Sequence, residues 1–157
     1  QLSPIRILTT ISAVINGGTM ITPHFGVSIS DTETQRKTNI RYTSKKNVIS
    51  KETSDVMKNV LETVVSEGGG KKAAIEGYKV GAKTGTSEKL PRRSGKYIAS
   101  CMGFAPAQNP KVIALVLIDE PSGIYYGGTI AAPVISKLLD DILPYVDGKE
   151  DYGYSGN

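Results

Sequence analysis

Seven consecutive apolar residues, Val112-Ile113-Ala114-Leu115-Val116-Leu117-Ile118, constrain the fold of this chain more than any other feature. A strand on a half-exposed sheet alternates apolar and polar residues, and this run does not. It predicts a strand that is apolar on both faces and lies centrally, with helices on either side. Tyr97 to Ala105 is a second strand-like run just upstream, and Pro106-Ala107-Gln108-Asn109-Pro110 has the length and residue types of a hairpin connection. Tyr78 to Thr86 reads as a third strand, with glycines where something must approach the backbone closely. Residues 87 to 96 are polar and read as a loop over or beside that strand.

The rest of the chain carries helical periods. Ser3-Pro4 suits a helix start, with Ser as N-cap and Pro in the first turn. Ile7, Leu8, Ile11, Val14 and Ile15 then recur at helical spacing, and Asn16-Gly17-Gly18 offers left-handed positions that end the helix. Met20 to Ile29 reads as a short extended stretch broken by Pro23, and Ser30 to Asn47 as polar surface structure with one short strand. Ser50 caps a second helix, with Glu52 in its first turn and Val56, Met57, Val60, Leu61, Val64 and Val65 as its buried stripe. Gly68-Gly69-Gly70 stops it. After a glycine-rich loop at 123 to 128, Pro133 starts a last helix with Val134, Ile135, Leu138, Leu139 and Ile142 facing the core. This order describes an α+β fold, an antiparallel sheet flanked by helices, over residues 1–146. Residues 147–157 read as a tail or linker.

Composition excludes several classes. At 157 residues the chain can bury a core, and no apolar run is long enough to span a bilayer. The opening Gln1-Leu2-Ser3-Pro4 is no signal peptide and reads as a cut inside a longer protein, with any export signal or anchor upstream. The formal charge of +4 comes from scattered residues. Its densest groups are the pairs Arg36-Lys37, Lys45-Lys46, Lys71-Lys72 and Arg92-Arg93, in apparent loops without interleaved aromatics. That pattern is a solvated surface and gives no nucleic-acid partner. The single cysteine, Cys101, excludes an internal disulfide and a Cys-rich metal site, and its apolar strand setting predicts a buried, inert thiol. No metal or other cofactor is expected.

Chemistry concentrates in Lys83-Thr84-Gly85-Thr86-Ser87. On an exposed strand Lys83 supplies a positive charge, and the hydroxyls of Thr84 and Thr86 can hold a carboxylate. Gly85 lets a ligand lie flat against the strand and pair with its backbone. The Thr86 N–H is then placed to bind a developing oxyanion. Such a strand suits acyl transfer on a peptide-like substrate with a free carboxylate. The rival reading of a phosphate-binding loop, Gly77 to Thr84, fails because Ala82 stands where a glycine must precede the lysine.

The block Val80-Gly81-Ala82-Lys83-Thr84-Gly85-Thr86-Ser87-Glu88 resembles the third signature of class B high-molecular-mass penicillin-binding proteins. Ser3-Pro4-Ile5 through Asn16-Gly17-Gly18-Thr19 and Ile21-Thr22-Pro23-His24 resemble the helix and turn before it. Met102-Gly103-Phe104-Ala105-Pro106 and Ile118-Asp119-Glu120-Pro121 resemble the neighbouring hairpin, and Gly127-Gly128 with Ala131-Ala132-Pro133-Val134 the start of the C-terminal helix. The resemblance implies a five-stranded antiparallel sheet flanked by helices, of which this chain is the C-terminal half. It implies a peptidoglycan D,D-transpeptidase of the cell-division or sporulation type, working through a serine acyl-enzyme. It also implies stem peptides and β-lactams as ligands, no cofactor, and a place at the extracytoplasmic face of the cell membrane.

By the same resemblance Lys83, Thr84 and Thr86 contact the substrate carboxylate, Gly85 permits close approach, Thr86 gives one oxyanion donor and Lys83 assists proton transfer. Ser87 and Glu88 read as polar surface, His24 as structural, and Tyr125 and Tyr126 as a packed loop or the rim of the site. The family's S-x-x-K motif occurs nowhere in the chain; Ser54 to Lys58 is one residue too long, and Thr34 to Lys37 begins with threonine. Its S-x-N motif is met only by Ser155-Gly156-Asn157, after the last helix and out of family order. Both motifs are expected upstream of Gln1, on an N-terminal half of the same domain that is this chain's partner, so the chain alone is expected to be inactive. A β-lactam sensor, a serine β-lactamase-like domain, and a non-catalytic interaction module of the same fold remain as alternatives.

Overall fold

The structure, a computed structural model, describes residues 2–146 and 148. The chain forms two compact units, one ending at Ser54 and the other running from Asp55 onward. In the first, helix α1 (Pro4–Ile15) buries Thr9, Ala13 and Ile15. The Ser3 hydroxyl makes no capping bond; the Ser3 carbonyl instead accepts from the N–H groups of Arg6 and Ile7 at 3.0 and 3.1 Å. Gly17 and Gly18 end the helix at φ 83° and 90°. A Cβ on Gly18 would lie 2.1 Å from the Ile49 carbonyl oxygen, so only glycine fits there.

Four short strands follow: β1 (Met20–Ile21), β2 (Ser28–Ser30), β3 (Lys37–Asn39) and β4 (Ser44–Lys45). They pair β1 with β4 and β2 with β3, both antiparallel. The sequence suggests one strand between residues 30 and 47, where the structure has more. Each is too short and too polar to leave a period-2 signature. His24 packs its ring on Tyr42, with centroids 3.8 Å apart, and its Nδ1 donates to the Thr22 carbonyl at 2.8 Å. Those contacts account for the only histidine without a catalytic role.

Helix α2 (Lys51–Ser66) begins in the first unit and continues into the second. Ser50 caps it as the sequence suggests, its hydroxyl accepting from the Thr53 N–H at 3.1 Å. The expected stripe is only partly covered: Leu61 and Val65 are buried, whereas Val56 is 60% and Val60 49% exposed. The second unit is built on strands β5 (Gly81–Glu88), β6 (Tyr97–Ala105) and β7 (Val112–Asp119), in the order β5-β6-β7 and antiparallel throughout. Tyr78 to Val80 lies outside β5, which runs two residues further at its other end than the sequence suggests. The largest correction concerns β7. Its run of apolar residues marks it as central, yet among the described residues it is an edge strand beside β6, with Leu117 43% exposed.

Two short elements are not signalled by the sequence, a 3-10 turn at Lys71–Ala73 and helix α3 (Gly127–Ile130). Helix α4 (Ala132–Val146) starts one residue before Pro133. It buries Ala132, Ile135, Leu139 and Leu143, while Val134 and Leu138, expected inward, are exposed. The core joins this face of α4 to Val65, Ala73, Val80, Ala82, Cys101 and Ala114. Its closeness explains Gly103, where a Cβ would lie 2.4 Å from Ile135 Cγ2. Apart from Gly148, the tail and its Ser155-Gly156-Asn157 match lie outside the described residues.

Candidate active site

Two hydrogen bonds beyond the strand ends fix which backbone groups of β5 are free. The Lys89 N–H donates to the Lys96 carbonyl at 2.8 Å, continuing the register that pairs Glu88 with Tyr97. Opposed residues in an antiparallel ladder alternate between exchanging both bonds and exchanging none. Gly81, Lys83, Gly85 and Ser87 therefore bond to β6, and Thr84 and Thr86 turn their N–H and C=O groups to the open side of the sheet. The Glu120 N–H, donating to the Tyr97 carbonyl at 2.9 Å, gives the same phase to β7. Ile113, Leu115 and Leu117 thus face that strand's outer edge.

The side chains divide between the two faces. Ala82, Thr84 and Thr86 share the α4 side with Cys101 and Gly103, whereas Lys83 and Gly85 share the other with Met102 and Ser100. Lys83 and the two threonines therefore meet only around the strand's open edge. Lys83 is exposed and curls toward that edge, its Nζ donating to the Thr84 carbonyl at 2.5 Å. At Gly85 a Cβ would sit 2.6 Å from Ser100 Oγ, so a side chain there would have to turn that hydroxyl aside. Thr86 is exposed, and its hydroxyl accepts from the Gly127 N–H at 3.1 Å. That bond ties α3 to the strand and has no sequence signal. The edge presents a cation, an outward amide N–H and a hydroxyl along a flat backbone, which is the equipment for holding an anionic, extended ligand.

Aromatic side chains stand at one end of this edge. Tyr97 and Tyr125 stack with centroids 4.1 Å apart, and Tyr126 lies 4.6 Å from Tyr125 and is 57% exposed. The neighbouring Tyr126 hydroxyl, and then the charges of Tyr126 and Tyr97, push the Tyr125 hydroxyl up to about 12. Cys101, opposite Thr84, is fully buried, and burial raises its thiol to about 11, so it is inert as expected. Glu88 does more than decorate the surface: its carboxylate accepts from the Arg93 N–H at 2.5 Å and shapes the following loop. A hollow of about 550 Å3 in the first unit, between α1 and β1, contains none of the candidate residues.

The loop is held to the end of β7 by ion pairs. Lys89 Nζ lies 2.9 Å from Asp119 and 2.7 Å from Glu120, and Lys96 Nζ lies 3.0 Å from Glu120. Hydrogen bonds from Lys89 and then Lys96 lower the Glu120 pKa, and those to Glu120 and then Asp119 raise that of Lys89. A lowered carboxylate stabilises the fold above its ordinary value of 4.5 and loses that contribution as pH falls through the folded value. A raised lysine contributes below its ordinary 10.5 and loses it as pH rises further. Glu120→Gln is therefore expected to melt below the wild type at neutral pH, with the gap narrowing in acid, at pH values below 4.5. Parallel melts of the two proteins in both pH ranges check this, and a gap that persists in acid would show the pairs to be inconsequential.

Residues 1–140 match the family described as Penicillin binding protein transpeptidase domain. The chain is 42% identical over 151 residues to Stage V sporulation protein D of Bacillus subtilis (strain 168), covering 92% of this chain and 23% of that protein. It is 45% identical over 90 residues to Peptidoglycan D,D-transpeptidase FtsI of Escherichia coli (strain K12), covering 54% of this chain and 15% of that protein. In structure it resembles the D,D-transpeptidase domain of a peptidoglycan glycosyltransferase from Eggerthella lenta, with TM-score 0.75 and 27% identity over 93% of this chain and 33% of that one. The chain belongs to the penicillin-binding protein transpeptidase family and groups with its class B members. It spans less than a quarter of the curated relatives named and a third of the solved domain.

Proposed function

We propose that this chain is the Lys-Thr-Gly side of a peptidoglycan D,D-transpeptidase site, completed by an N-terminal half of the same domain that carries the serine. The observation that supports it most is the phase of β5, which turns the Thr86 N–H to the open edge beside Lys83. In this reading a stem peptide ending in a carboxylate lies along the edge and its carboxylate meets Lys83, Thr84 and Thr86. The upstream serine oxygen attacks the penultimate carbonyl, a tetrahedral oxyanion forms against the Thr86 N–H, and its collapse expels the terminal D-alanine as its amine takes up a proton. The amine of a second stem peptide then attacks the ester and regenerates the serine. Lys83 assists proton transfer at the serine side. A β-lactam enters the same edge and leaves a ring-opened acyl group on the serine. The outer edge of β7 and the exposed Leu117 suit sheet pairing with the N-terminal half. The whole protein acts at the extracytoplasmic face of the membrane, anchored upstream.

The test is the intact mass of the full-length protein before and after benzylpenicillin. One penicillin added per chain, lost only slowly, is the expected result, and this chain expressed alone gains none. Rapid hydrolysis of the adduct would indicate a β-lactamase, and no adduct on the full-length protein would leave only an interaction module.

A further inference from the structure

The bond from Gly127 to Thr86 constrains what kind of group the site accepts. A threonine hydroxyl has one proton and two acceptor positions. Its oxygen receives the Gly127 N–H at 3.1 Å, so the proton cannot point that way and is left for another partner. An ammonium has only donors. Lys83 therefore offers only donors, and Thr86 keeps its proton and just one of its two acceptor positions, so the pair presents mainly donors to a ligand on the edge. A carboxylate satisfies such a pair with both oxygens, whereas a neutral amide or ester loses the charge or sets donor against donor.

Space explains why this donor belongs to a glycine. A Cβ at Gly127 would lie 2.2 Å from the Ser100 carbonyl oxygen and 2.3 Å from that of Gly85. Contacts that short would lift α3 off both strands and lengthen a bond already at 3.1 Å past a useful distance. The adjacent Gly128 is wedged from the other side, where a Cβ would meet the Gly69 carbonyl oxygen at 2.6 Å. Gly128 makes no contact with the Thr86 hydroxyl, so it separates tight packing from the hydrogen bond.

We propose that Gly127 is a positioning residue that tunes the selectivity of the site: by occupying one acceptor position of the Thr86 hydroxyl it turns that hydroxyl's proton away from α3 and toward an anionic ligand. The proposal rests on the transpeptidase reading above. Gly127 itself touches no reacting atom; it acts through Thr86.

The experiment uses the full-length protein and two probes, benzylpenicillin and its neutral methyl ester, and reads the ratio of their acylation rate constants. Thr86→Val is expected to lower the rate with benzylpenicillin by about 10- to 100-fold while changing the ester rate far less, and Thr86→Ser to keep the wild-type ratio. Gly127→Ala is expected to mimic Thr86→Val, and the double variant to be no worse than Thr86→Val alone, because both act through one hydroxyl. Gly128→Ala is expected to lower the melting temperature without changing the ratio. Hydrogen exchange at the Gly127 amide supplies a readout that needs no disruptive variant, with protection expected to fall about tenfold in Thr86→Val and to persist in Thr86→Ser. Additive losses, an equal loss with both probes, the same ratio change from Gly128→Ala, or unaltered exchange in Thr86→Val would each overturn the proposal. A wild-type protein that neither probe acylates would instead bring down the transpeptidase reading, and this proposal with it.

Discussion

Lys83→Ala in the full-length protein is expected to slow acylation by benzylpenicillin by roughly 100- to 1,000-fold, the size of effect for losing a group that in the proposed site both holds the ligand carboxylate and assists proton transfer. The argument begins with where the side chain is. Lys83 bonds through its backbone to β6, so the strand holds its Cα rigidly, while its side chain is exposed and, among the described residues, hydrogen-bonds to the carbonyl of its own neighbour, Thr84. A lysine so placed contributes little to the fold, and the melting temperature is expected to stay within about 2 °C of the wild type. Lys83→Arg is expected to restore little, because a planar guanidinium is bulkier and cannot place a compact charge at the same point. Stopped-flow or quenched mass spectrometry gives the rate constants. Acylation of Lys83→Ala at wild-type speed would remove this strand from the site, whatever the family resemblance.

Strand boundaries came readily from residue pattern where the backbone period and the burial agree, as in β6, whose ends at Tyr97 and Ala105 match the apolar run. The errors share one physical cause. Apolar periodicity reports which faces avoid water in a whole protein, and cannot say which stretch of chain supplies the cover. Val56, Val60, Val134, Leu138 and Leu117 all read as core and all are exposed here. For the same reason β7 reads as central although its outer edge is unpaired among the described residues. The site was legible to the extent that it is local: Lys83, Thr84, Gly85 and Thr86 are consecutive, and a strand fixes their relations. Two of its properties were not legible. Residue types alone do not show the two-faced placement of Lys83 and Thr86, which comes from the strand's period of 2. The bond from Gly127 leaves no trace in the sequence because it joins residues 41 apart through a backbone N–H, which no side-chain pattern encodes.

The phase of β5 makes a second large prediction, at Thr86. Proline removes a backbone N–H, and inside a ladder that breaks a sheet bond; at an outward position of an edge strand it costs the sheet nothing. Thr86 is such a position, while Ser87, one residue on, donates inward to β6. Thr86→Pro is therefore expected to fold with a melting temperature close to that of Thr86→Val, and Ser87→Pro to melt well below both. Activity should separate the first two. Both lack the hydroxyl, but only the proline lacks the amide proposed to meet the oxyanion, so Thr86→Pro is expected to acylate a further 100- to 1,000-fold or so more slowly than Thr86→Val. This comparison isolates a backbone donor that no ordinary side-chain substitution reaches. Equal rates for the two variants would place the oxyanion elsewhere. A sheet broken by Thr86→Pro and spared by Ser87→Pro would reverse the register, and with it the assignment of the edge that faces the substrate.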